Sequence, residues 1–381
     1  MIYFDNAATT FPKPVLIYDA VNDYMRNIGV GAGRSAHSQA VAASRTMFGA
    51  RERIAAVFGV RDASRLVFTA SATESLNLAL LGSVKPGDRI VVSSMEHNSV
   101  MRPLRFLQNE RRAKVEIIPC NQQGAFDLSL WESVLQKRPE NVVVNHGSNI
   151  IGSIAPLKEI GALCRKYGAR FIVDAAQTAG LIPIDVEAAN IDFLAFSGHK
   201  NLYGLQGTGG LYIREGCDPQ PLMFGGTGSR SESDEQPQFM PDRYESGTQN
   251  MPGIASLAAG AEFVNKSGIA AIFDHGSKLA VALLNGLCSI SRIHIYGPRT
   301  PETMLPTVSL AVEGLDNAAV AQRLNDEFSI AVRVGLHCAP VAHRSIGTFP
   351  NGTIRISLGY FNTEEECGAL IAALKKICEG G

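Results

Sequence analysis

The chain has 381 residues, a formal net charge of -1 at pH 7, 45% hydrophobic residues and 19% charged residues. That balance provides for a sizeable core and argues against disorder and against a broad electrostatic pull toward nucleic acid or anionic membrane; with no run of about 18 uninterrupted apolar residues, no transmembrane helix is expected. Seven cysteines, an odd number with no C-x-x-C pair, argue against a disulfide framework and a zinc site, so no metal is expected and a reducing cytoplasm fits. The length fits about two domains.

The chain opens with "MIYFDNAATTFPKP", which puts Asp5 and Pro12 where a secretory leader needs an apolar region, so none is expected. Residues 38–58 place Val41, Met47, Phe48, Ile54, Val57 and Phe58 at roughly helical spacing. The strand "RLVFT" (65–69) leads into Ser71, Ala72, Thr73 and Glu74 and then a helix-like run. A helix N-terminus offers backbone N–H groups to a phosphate, although serine and threonine there are also ordinary caps. The strand "RIVVS" (89–93) is followed by "SMEHNS" and a helix over 98–112. An imidazole at His97 can lie on an aromatic ring, or be one more satisfied polar group.

Further strands are "VEIIP" (115–119), "VVVNH" (142–146), "RFIVD" (170–174), "DFLAFS" (192–197) and "GGLYI" (209–213), with a helix over 157–167. Nearly continuous apolar strands alternating with helices predict an α/β sheet covered on both faces. Open sheets of this class bind ligands beyond the carboxyl ends of their strands. Asp174 ends one such strand, and "SGHK" carries Lys200 just past the next, 26 residues on. A desolvated lysine can form a Schiff base with pyridoxal phosphate (PLP), and a carboxylate keeps the pyridine nitrogen of that cofactor protonated. A solvated loop lysine and an N-capping aspartate are the plainer uses of these residues; their pairing on consecutive strands favours the cofactor.

Composition shifts at 225–250, rich in Gly, Ser, Pro and charge, which predicts a long loop. Helices follow at about 253–266 and 269–290, then strands "TVSLAV" and "TIRISL" and a closing helix, predicting a smaller α+β domain. Between those strands lies "RVGLHCAPVAHR", with His337 before Cys338, Ala339 and Pro340 after it, and arginines near both ends at Arg333 and Arg344. By composition alone Cys338 is one more buried thiol among seven.

Taken in order, "YFDNAATT", "SMEHNS", "HGSNIIG", "VDAAQ", "FSGHK", "ESGTQN" and "RVGLHCA" resemble the cysteine desulfurase and selenocysteine lyase family of the class V aminotransferase superfamily, over nearly the whole chain. The resemblance implies a PLP-dependent transferase of fold type I: a mostly parallel seven-stranded sheet with helices on both faces in a large domain (13–262), and a smaller α+β domain (1–12 and 263–381) carrying the cysteine loop. It implies that Lys200 holds PLP, Asp174 pairs with the ring nitrogen and His97 stacks on the ring. Gln177 and Asn149 would lie near the ring hydroxyl, and Asn149 also near the substrate carboxylate. Ala72, Thr73, Ser197 and His199 would bind phosphate, joined by Thr248 from the partner subunit of a homodimer. Arg355 would clamp the substrate carboxylate.

Cys338 falls at the family's sulfur-accepting cysteine. The implied reaction converts L-cysteine to L-alanine and leaves a persulfide on Cys338, for delivery to a protein or small-thiol acceptor. L-selenocysteine is the alternative substrate; another class V aminotransferase or lyase reaction, or a non-catalytic sulfur-relay scaffold, are the alternative functions. The R-x-G-x-H-C context is similar to the SUF-type group, but Val334 and Leu336 stand where that group carries threonine and histidine, and Ala72 where a hydroxyl residue is frequent. These departures mark a subfamily of its own. His337, Arg333 or the substrate itself would help Cys338 lose its proton. His343 is expected to be structural, and His37 and His146 to do no more than line the pocket.

Overall fold

The computed structural model describes residues 1–33 and 35–380. After a short strand β1 (Ile2–Tyr3) come helices α1 (Val15–Asp23) and α2 (Ser38–Val57). Strands and helices then alternate: β2 (Leu66–Thr69), α3 (Ala72–Ser83), β3 (Arg89–Ser93), α4 (Asn98–Arg111), β4 (Lys114–Ile118), α5 (Leu128–Leu135), β5 (Asn141–Asn145), α6 (Leu157–Tyr167), β6 (Arg170–Asp174), β7 (Phe193–Ser197) and β8 (Gly209–Ile213). Local chemistry fixes many of the ends. Helix α6 has Glu159 in its first turn and Arg165 and Lys166 in its last, each complementing the helix dipole, and stops at Gly168 with φ of 74°.

These strands form one seven-stranded sheet in the order β2-β8-β7-β6-β5-β3-β4. Strands β5, β7 and β8 are buried along their whole length, which is why they read as unbroken apolar runs. Val142, Val143 and Val144 are fully buried, each stabilising the fold by about 1.5–3 kcal/mol. At one edge, β4 exposes Lys114 and Glu116, charges that discourage further pairing.

Only β8 runs against its neighbours; it is antiparallel to both β2 and β7, and the other pairs are parallel. Reversing twice restores direction, so β2 points the same way as β7. The carboxyl ends of β2, β3, β4, β5, β6 and β7 therefore share one edge of the sheet, and the segments that follow them open there.

The segment 225–250 forms no helix or strand, as its composition predicts. Beyond it, α7 (Met251–Ser267) and α8 (Ile269–Leu287) are separated by Gly268. Residue 262 itself lies inside α7. The rest comprises β9 (Ile293–Tyr296), β10 (Thr307–Val312), α9 (Asn317–Phe328), β11 (Ile330–Ala331), β12 (Arg333–Gly335), α10 (Pro340–Ser345), β13 (Thr353–Ser357) and α11 (Glu364–Glu379). An antiparallel sheet forms in the order β12-β13-β10-β9, and β1 pairs in parallel with β11. Phe4, from the chain start, packs into the apolar cluster of this second sheet with Leu283, Leu310 and Leu374. Among the described residues no single helix is long and apolar enough to cross a membrane.

Helix α7 packs closely on the turn after β7. A Cβ at Gly260 would collide with the carbonyl oxygen of Leu202, two residues past Lys200. Gly260→Ala is expected to cost about 1–3 kcal/mol by overpacking, read as a lower urea midpoint with an unchanged slope.

Candidate active site

The converging strand ends bring together the residues singled out from the sequence. Asp174 closes β6 and is buried; its Oδ1 accepts from the Ala176 amide at 2.9 Å. Burial raises the pKa of its carboxyl, opposed by the Ala176 hydrogen bond and the charge of Lys200. Lys200 follows β7 across a short turn. Burial lowers its ammonium to about 8; Asp174 opposes this shift, and Arg355 and Arg333 add to it. Lys200 is thus a lysine whose free amine is accessible near neutral pH.

His97 caps α4: its Nδ1 accepts from the Ser99 amide at 3.1 Å and lies 2.8 Å from Ser99 Oγ. Ser99 Oγ lies 2.8 Å from Thr73 Oγ1, so the start of α3 and the start of α4 are tied together. Burial, then the charge of Lys200, lowers His97 to about 4, and the ring is neutral at pH 7. Ala72 and Thr73 form the first turn of α3 after the Ser71 cap, where backbone N–H groups have no helical acceptor. Ser197 is buried at the end of β7. His199 is held neutral by burial, with a pKa of about 4, and its Nδ1 is buried without a partner. Gln177 donates from Nε2 to the Ala7 carbonyl at 3.0 Å.

The cysteine loop comes from the second sheet. His337 and Cys338 both adopt left-handed backbone, with φ of 45° and 59°. The Ala339 amide closes this turn on the Leu336 carbonyl at 2.9 Å, so Leu336 serves through its backbone. The Asn98 amide donates to the Cys338 carbonyl at 2.8 Å, and Asn149 Nδ2 donates to the His337 carbonyl at 2.7 Å. Cys338 is exposed, contrary to the bland expectation of a buried thiol, and lines a cleft of about 490 Å³ with Thr73, His97, Ser99, Arg102 and Phe106. Arg355, 2% exposed, donates from Nη2 to Asp5 Oδ1 at 2.6 Å and from Nη1 to the Asn149 carbonyl at 2.8 Å. Its Nε and the Asn149 Oδ1 are buried without partners.

A model of the aminotransferase class-V family matches residues 2–370. The chain belongs to this family. It is 36% identical to a "probable cysteine desulfurase" of Pyrococcus abyssi, over 99% of this chain and 94% of that one. It is 33% identical to another of Methanothermobacter thermautotrophicus, over 100% and 95%. Among solved structures, an apo cysteine desulfurase of Thermococcus onnurineus superposes with a TM-score of 0.94 at 34% identity, covering 100% of this chain and 95% of that one. The class V fold is thus that of PLP fold-type I, with the mostly parallel seven-stranded sheet that the resemblance implied.

Not every candidate joins this class V site. Thr248 is exposed on the long loop and lines a different cleft, of about 880 Å³, with Gly31, Met47 and Phe48. His37 is the exposed cap of α2, and His146 is buried against Thr178 Oγ1 at 2.8 Å. His343 is fully buried, with Nδ1 2.6 Å from Thr348 Oγ1, as expected of a structural histidine. His337 is neutral: burial, then Arg355 and His343, depress its pKa to about 2. It therefore brings no positive charge to Cys338.

Three residues escaped the sequence reading. Asp5 holds Arg355; Ser99 links His97 to Thr73; and Lys13 donates to the Thr10 and His199 carbonyls at 3.2 and 3.1 Å, with burial lowering its ammonium to about 8. Their signals were present in "YFDNAATTFPKP" and "SMEHNS", but a short polar motif does not say which of its members turn inward.

Two outcomes follow from these contacts. Because the Lys200 amine is the reactive form, reductive trapping of an aromatic aldehyde on it should rise with pH through about 8 and vanish in Lys200→Ala. Asp5→Ala leaves Arg355 buried without its counter-charge; a loss of about 3 kcal/mol is expected by chemical denaturation, toward the low end because Asp5 is partly exposed.

Proposed function

We propose that this chain is a PLP-dependent cysteine desulfurase that converts L-cysteine to L-alanine and retains the sulfur on Cys338 as a persulfide. One observation carries the reading. The exposed thiol of Cys338 lines the same cleft as His97 and Thr73, on a turn fastened to α4 and to Asn149. Transamination has no use for a nucleophile there. The names borne by the similar proteins point the same way.

The residues fit the cofactor. The unpartnered buried Nδ1 of His199 and Oδ1 of Asn149 are polar atoms for which a polar ligand supplies partners. Lys200 would hold PLP covalently and Asp174 would face its ring nitrogen. His97, neutral, would stack on the ring. Gln177 and Asn149 would bind the ring hydroxyl, and Ala72, Thr73, Ser197 and His199 the phosphate. When bound, PLP would supply an electron sink for the pair that the carbon keeps when its bond to sulfur breaks.

The chain's own groups do the rest. The Nζ of Lys200 takes a proton from the substrate and returns one to carbon, a task suited to an amine titrating near 8. Arg355, with its free Nε, holds the substrate carboxylate. Cys338 attacks as thiolate. The carbon–sulfur bond of L-cysteine breaks, a sulfur–sulfur bond forms to Cys338 Sγ, and the carbon gains a proton. Cysteine plus thiol thus becomes alanine plus persulfide.

The exposure of Thr248 favours a homodimer in which it reaches the partner's phosphate site. The division into 13–262 and 1–12 with 263–381 is favoured by the separate apolar cluster around the second sheet.

Incubation of the PLP-loaded protein with L-cysteine and a reductant should give equimolar alanine and sulfide, both lost in Cys338→Ala. Turnover that requires an added keto acid would overturn the desulfurase reading.

A further inference from the structure

One member of "SMEHNS" has no part in the proposed reaction. Glu96 is fully buried between the turn after β3 and the end of β5. Both of its hydrogen bonds fall on a single oxygen: Ser93 Oγ lies 2.5 Å from Oε1, and the Asn145 amide donates to Oε1 at 2.8 Å. The other oxygen, Oε2, is buried without a partner. Among the described residues no basic side chain forms an ion pair with it. The same turn is tied to β5 a second time, by Asn145 Nδ2 donating to the Met95 carbonyl at 3.2 Å. Asn145 stands directly beside Asp174 in the sheet register.

A carboxylate can only accept hydrogen bonds, and a buried one without a counter-ion is costly. An uncharged carboxyl can leave one oxygen unpaired far more cheaply. We infer that Glu96 is a neutral positioning residue: it clamps the His97 turn to β5 without placing a second negative charge beside Asp174. The charged and titratable groups around it agree. Burial raises Glu96 to about 8; Ser93 and Asn145 oppose this, and the charge of Asp174 adds to it. Cys120, the other titratable group coupled to Glu96, is itself raised to about 11 and uncharged at neutral pH. His97, next in the chain, is neutral too.

The structural half of this inference stands without the proposed function; the effect on His97 rests on the cofactor reading. Two variants test it, Glu96→Gln and Glu96→Ala. In the unloaded protein, the folded carboxyl binds a proton between its ordinary pKa of 4.5 and about 8, whereas the unfolded one does not. Wild-type stability therefore falls with rising pH across that window relative to Glu96→Gln, and the difference is level above it. The melting temperature of Glu96→Gln should exceed that of wild type by a margin that widens over the window. With PLP added, Glu96→Gln should match wild type in cofactor affinity and in the visible circular dichroism of the bound cofactor. Glu96→Ala should bind more weakly, on the order of tenfold, with an altered band.

A constant margin between Glu96→Gln and wild type would overturn the neutral state. Loss of cofactor binding in Glu96→Gln equal to that in Glu96→Ala would overturn it as well, since charge would then be what matters. Wild-type binding in Glu96→Ala would overturn the positioning role. Should wild type itself bind no PLP, the cofactor reading fails, and the melting experiment still decides the charge of Glu96.

Discussion

The contact of the buried Arg355 with the partly exposed Asp5 is what the rest of the site hangs from. It joins the first residues of the chain to the last strand of the second sheet, 350 residues apart. From Arg355 the path continues to the Asn149 carbonyl, from the Asn149 side chain to the His337 carbonyl, and from the Cys338 carbonyl to the Asn98 amide beside His97. Two sheets and two chain ends meet along this line. An ion pair with one buried member is weak as a source of stability, because desolvation offsets much of the attraction. Its value here is positional. An arginine fixed through both terminal nitrogens cannot swing away, and neither can the cysteine turn that depends on it.

Around that line, burial sets the charge of the site. It holds His97, His199 and His337 neutral, brings Lys200 near 8 and raises Asp174. The result is a polar edge with few free charges. Lys200 and Asp174 moderate each other across it, and the charge of each counts for more because the surroundings are poorly solvated. The sheet makes this edge available: with β8 alone reversed, six strand ends open on the same edge.

Much of this was legible in the sequence, and for identifiable reasons. Doubly buried strands must be apolar throughout, so β5, β7 and β8 announced themselves, and Asp174 and Lys200 stood out as polar residues at or just past such runs. The long polar loop before α7 was equally plain. The short helices and strands were less so. Strands β1, β11 and β12 are two or three residues long, and nothing local distinguishes them from loop; they exist because a distant partner supplies their hydrogen bonds. Val334 and Leu336 illustrate a different limit. Their side chains looked like significant departures, yet Leu336 closes the cysteine turn through a carbonyl that every residue has.

By itself the sequence determined the class of sheet, the order of its elements and the residue types available for chemistry, because periodicity and composition are local properties of the chain. Only the tertiary structure decided which of those residues meet. It exposed Cys338 in the His97 cleft, sent Thr248 to another surface, buried Glu96 without a counter-ion and gave Asp5 and Lys13 partners. These outcomes depend on contacts between segments far apart in the chain and on the loss of water around them. Neither is encoded in the neighbourhood of any single residue.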